Sequence, residues 1–150
     1  MISFHSILGI VVAAAFAAVA ALGWWRWRQG GTSRLFWRSL RGAQLLYLVY
    51  LLVAGARFFG GERPRDSLYW VYALVPLAVS FIAEQLRIGA AQTVLDARGL
   101  EDAQAVGRLP PDEQRGIVVA ILAREVGVMA IAALVIAGLM LRASLGFGGY

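Results

Sequence analysis

The chain has 150 residues, a length suited to one domain, and 60% of them are hydrophobic while 15% are charged. Soluble domains run about 45–50% apolar, so the excess points to lipid rather than water as the solvent. There is no cysteine, one histidine (His5) and a formal charge of +5 carried by arginine without lysine, which excludes disulfides, thiolate metal sites, cysteine nucleophiles and histidine-rich metal clusters.

Four apolar blocks reach the ~20 residues needed to cross a hydrocarbon core. Lipid offers backbone groups no hydrogen-bond partner, so each block is expected to be a helix. The fold expected is all-α: a four-transmembrane-helix bundle forming one integral membrane domain over residues 1–150.

The first block covers residues 7–25. Ala18-Val19-Ala20 has the small-x-small form of a signal cleavage site, but residues 1–6 carry no basic charge. A secretory signal needs a positive n-region, so the block is expected to stay as a span. Gly9, Ala13, Ala17 and Ala21 make a small-residue stripe along it, the pattern of a close packing seam, within one chain or between chains. His5 stands at its outer end.

The second block covers residues 40–59. Gln44 lies inside it, one turn from Arg41. An amide in lipid reads first as glue between helices and second as the lining of a pore or ligand site. The third block covers residues 68–86, with Pro76 in mid-span, where a kink is expected. The fourth covers residues 117–141, with Ala133 and Ala137 as its small-residue pair.

Helices three and four are expected to overrun the bilayer. Beyond Leu86, Ile88, Ala91 and Leu95 recur at helical spacing, up to a stop at Gly99. Pro110-Pro111, followed by Asp112 and Glu113, marks a helix start near Pro111. Residues 100–109 between them suit a short helical turn. The expectation is a helical hairpin projecting into the cytoplasm.

Arginine counts set the expected orientation. Arg26, Arg28, Arg34, Arg38 and Arg41 follow or precede the first loop with no acid among them. Arg87, Arg98, Arg108, Arg115 and Arg124 surround the third loop, and only Arg142 follows the last span. The positive-inside rule puts loops one and three in the cytoplasm and both the N- and C-termini outside. Arginines flanking apolar blocks read as topology signals, so nucleic acid is not an expected partner. The partner expected everywhere is the lipid bilayer.

Counting about 1.5 Å per residue from the outer ends of their helices puts Glu84 about 26 Å and Arg124 about 27 Å down. Arg87 and Glu125 fall close by. Glu84, Arg87, Arg124 and Glu125 are therefore expected as one polar cluster at the inner membrane edge. It reads as snorkelling interface charges, as a clamp between helices three and four, or as an ion site at Glu84. The same depth count puts Met140 near the level of His5, and His/Met is a known haem ligation. Haem is thus the one cofactor considered, with His5 and Met140 as its ligands; otherwise no cofactor and no metal is expected.

Phe4-His5-Ser6-Ile7-Leu8-Gly9, Ala83-Glu84-Gln85-Leu86-Arg87 and Leu109-Pro110-Pro111-Asp112-Glu113-Gln114-Arg115 resemble the uncharacterised small four-span integral membrane proteins of high-GC bacteria. That resemblance implies a multi-pass protein of the bacterial cytoplasmic (inner) membrane and no particular activity. Arg41-Gly42-Ala43-Gln44-Leu45-Leu46, with a histidine at an outer helix end, is similar to one half of haem A synthase. That family pairs two histidines, and here Tyr69 stands at the place of the second.

No Ser/His/Asp set, phosphate-binding glycine loop or metal-ligand spacing occurs, so no catalytic residue is assigned. The function expected is a non-enzymatic membrane protein, self-associating or an accessory subunit of a membrane complex. Two alternatives stand beside it: a haem-linked or redox protein using His5, and a small transporter or channel with Glu84 and Gln44 as polar lining.

Overall fold

The computed structural model describes residues 3–31 and 33–147, with no side-chain description for 146 and 147. Among these residues there are six helices: α1 (Phe4–Arg28), α2 (Arg34–Phe59), α3 (Tyr69–Ile88), α4 (Ala90–Ala97), α5 (Ala103–Gly107) and α6 (Pro111–Phe147). Four of them, α1, α2, α3 and α6, are long and apolar enough to cross a membrane.

Local chemistry explains where the helices start and stop. Ser3, Ser33 and Asp102 cap α1, α2 and α5 by accepting from the backbone N–H three residues on, which satisfies an orphan donor of the first turn. Pro111 opens α6, with Asp112 and Glu113 in its first turn. The stops of α1, α2 and α4 share one device. Gly30, Gly61 and Gly99 have φ of +68°, +95° and +68°. Around each, the pair of bonds of a Schellman motif closes the helix, as in Leu100 N–H to Leu95 O and Gly99 N–H to Asp96 O.

Helix three differs from expectation. It ends at Ile88, and α4 is a separate helix of 8 residues. The cause is Gly89, whose ψ of −6° departs from the helical value near −42°. With 20 residues, α3 is the shortest of the four spanning helices; α1, α2 and α6 have 25, 26 and 37. Of the two helices expected to be long, only α6 is.

The four long helices form an antiparallel ring in the order α1, α2, α3, α6, with α6 closing onto α1. That last interface is the closest. A Cβ on Gly9 would lie 2.8 Å from Ser144 Cβ, and one on Gly23 would lie 2.7 Å from Ala130 Cβ. The seam on α1 is Gly9, Ala13, Phe16, Ala20 and Gly23, all buried. Ala17 and Ala21, expected on the stripe, are exposed. Four-residue steps drift around the helix, whereas alternating steps of three and four stay on one line.

By contrast, α2 and α3 hold each other through side chains with little close backbone approach. Pro76, buried in α3, has no N–H to give the Tyr72 carbonyl one turn before it. In that turn the Ala73 carbonyl accepts the Tyr47 hydroxyl of α2 at 2.6 Å. The buried Tyr47 hydroxyl thereby finds its partner on a neighbouring helix, as a polar group in an apolar interior requires.

Candidate functional site

Two polar clusters lie at opposite ends of the α2–α3 seam. At the end holding the start of α1, His5 is buried, and its Nε2 stands 2.7 Å from the Tyr69 hydroxyl. Tyr69 is in turn 2.9 Å from the Tyr50 hydroxyl, and the His5 ring stacks on Tyr50 at 4.4 Å between centroids. Three helices, α1, α2 and α3, thus meet at one hydroxyl. Just outside, Asp66 of the α2–α3 connection pairs with Arg142 of α6 at 2.8 Å, and Arg57 pairs with Glu62.

At the other end, Glu84 of α3 binds two arginines. Its Oε1 accepts Arg41 Nη1 of α2 at 2.9 Å, and its Oε2 accepts Arg87 Nε at 2.8 Å. Arg41 Nη1 also donates to Gln44 Oε1 at 2.6 Å. The Arg87 guanidinium lies 5.2 Å from the centroid of the Trp37 ring, which turns it back toward α2.

The expected cluster of Glu84, Arg87, Arg124 and Glu125 is therefore formed only in its α3 half. Among the described residues no ion pair joins Glu84 to Arg124 or Arg87 to Glu125, and Arg124 is exposed. The reason is register. Arg142 lies over Tyr72, 5.1 Å from its ring centroid, and a groove between the helices sets Val79, Ala83 and Leu86 against Val128, Ala132 and Val135. Helix α6 is thus shifted so that Glu84 is level with Ala130, and Arg124 lies about 9 Å beyond it. Azimuth adds to this, because Ala83 faces α6, so Glu84, one residue on, turns about 100° away toward α2.

The same register separates His5 from Met140. With Gly9 opposite Ser144, the buried Met140 is level with Ala13, about 12 Å from the level of His5. Nor does Tyr69 leave space for a metal beside Nε2. Two ligands on opposite sides of one ion stand about 4 Å apart at about 2 Å per bond, and the observed separation is 2.7 Å.

Sequence reasoning missed Arg41 as the partner of Glu84, and Tyr50 and Tyr69 as partners of His5. A signal was available for the first. Arg41, Gln44, Tyr47 and Tyr50 recur every three residues on α2, so a polar line runs into the stretch 42–56, which is otherwise apolar. Among the described residues no group of three or more His, Asp or Glu is placed to hold a metal ion. No protein-family model, curated protein or solved structure matches this chain.

Proposed function

We propose that this is a non-enzymatic integral membrane protein that works by association, with copies of itself or as an accessory subunit of a larger membrane complex. The observation that carries the reading is where the polar groups spend their hydrogen bonds. His5, Tyr50 and Tyr69 bind one another, Tyr47 binds a backbone carbonyl, and both Glu84 oxygens bind arginines. Apart from the Arg87–Glu84 pair within α3, these bonds join helices, and they present no nucleophile or general base to a substrate. Meanwhile Ala14, Ala17, Ala21, Leu134 and Gly138 stay exposed along the outside of the α1–α6 seam, a face small enough for another helix to approach closely.

The membrane is the bacterial cytoplasmic membrane in this reading, with the arginine-rich end of the bundle inside and both termini outside. The segment from α4 to the first turns of α6 then projects into the cytoplasm as a hairpin. The haem-linked alternative meets an imidazole Nε2 engaged by Tyr69, and the transport alternative meets a Glu84 carboxylate engaged twice.

Mild solubilisation and mass measurement of the particle test the proposal. The expected result is a defined oligomer or a co-purifying membrane protein, with Ala17→Leu or Gly138→Leu disrupting it. A monomer with no partner, unchanged by either substitution, would overturn it.

A further inference from the structure

The arginine end of the α2–α3 seam has more donors than the protein uses. A guanidinium carries five N–H donors. Arg41 spends its Nη1 on Gln44 and Glu84, and Arg87 spends its Nε on Glu84. Each oxygen of Glu84 then holds one arginine, and no other acid occurs between residues 26 and 61. The three side chains sum to +1, and exposed Arg38, one turn before Arg41, adds a further positive charge. The Arg41 side chain is 51% exposed, so its remaining donors face outward.

Apolar stripes lead away from these charges on both helices. On α2, Leu45, Leu48 and Leu52 follow Arg41 at steps of four, three and four, and are 65%, 47% and 73% exposed. On α3, Leu77 and Phe81 precede Glu84 at steps of four and three and are also exposed. The α6-facing side of α3 is a different one, carrying Val79, Ile82, Ala83 and Leu86. A cationic head with two apolar rails below it complements an amphiphile with an anionic head.

We propose that this seam is a binding site for an anionic glycerophospholipid, its headgroup phosphate on Arg41 and Arg87 and an acyl chain along Leu48 and Phe81. Phosphate oxygens match the planar donor array of arginine, and basic pockets between spanning helices are suited to anionic headgroups. Glu84 then has the role of holding two like charges side by side in the absence of lipid. The site stands whether or not the protein self-associates.

Native mass spectrometry of the detergent-purified protein with equimolar phosphatidylglycerol and phosphatidylcholine of identical chains tests this. Phosphatidylglycerol adducts are expected to dominate, and Arg41→Gln and Arg87→Gln each to lower them about fivefold. Arg108→Gln, remote from the seam, is expected to change nothing. Millimolar glycerol 3-phosphate is expected not to displace the lipid; full displacement would mark a site for free phosphate esters and overturn the lipid assignment. Equal occupancy by both lipids would overturn it as well. Should either arginine variant misfold, Glu84→Gln keeps both guanidinium groups and frees donors. Its phosphatidylglycerol selectivity is expected to be retained or raised, and a fall to the phosphatidylcholine level overturns the proposal.

Discussion

Glu84 on α3 and Arg41 on α2 are joined by a 2.9 Å ion pair across a seam where the two backbones scarcely meet. Because Arg41 is half exposed, Glu84→Gln should cost only about 1 kcal/mol or less of stability. The loss should shrink further in high salt, which screens the pair. Thermal unfolding in detergent at low and high ionic strength reads both effects.

Tyr69→Phe should cost more than Glu84→Gln. It removes a fully buried hydroxyl that joins His5 to Tyr50. About 1–3 kcal/mol is expected, the range for disrupting buried hydrogen bonds. Tyr50→Phe combined with Tyr69→Phe should cost less than the sum of the single changes, since both touch one bond. Denaturation of the four proteins of this cycle measures the coupling.

Tyr47→Phe should cost about 0.6 kcal/mol, a usual value for one interhelical bond in a membrane. The cost should be unchanged in a Pro76→Ala background, because the carbonyl that Pro76 leaves without a helical donor is that of Tyr72, one residue before the Tyr47 acceptor. A lower cost in that background would show that the distortion at Pro76 reaches the Ala73 carbonyl as well.

Glycines on and off the α1–α6 interface should respond with opposite signs. A Cβ at Gly23 would lie 2.6 Å from the Phe36 ring and 2.7 Å from Ala130 Cβ. Gly23→Ala should therefore destabilise by about 1–3 kcal/mol through overpacking. Gly42 and Gly55 have nothing within 4 Å of a Cβ, and alanine there should stabilise by up to about 1 kcal/mol through helix propensity. Unfolding midpoints of the three variants decide the comparison.

Apolar run length made the four spans legible, and turn chemistry made the stop at Gly99 and the start at Pro111 legible. Both signals are local. Hydropathy marks the second span only from Leu40, six residues after α2 begins, because Arg34, Trp37 and Arg38 look like a loop, while the Ser33 cap already begins a helix there. Partners were less legible. Counting depth along two helices gives height only when the ends are aligned, and α6 is offset relative to α3. Height also says nothing of azimuth, which is what turns Glu84 toward Arg41. His5 and Tyr69 stand 64 positions apart, and their meeting depends on how three helices pack.

The glycine contacts between α1 and α6 have a consequence for how the protein is made. A ribosome delivers α1, α2 and α3 to the membrane before α6 exists, so the face of α1 bearing Gly9 and Gly23 waits against lipid tails. The ring locks only when a helix encoded more than a hundred residues later arrives beside it. Non-local closure of this kind is slow relative to pairing of neighbours, so the first helix spends its early life as an open surface that other membrane helices can reach.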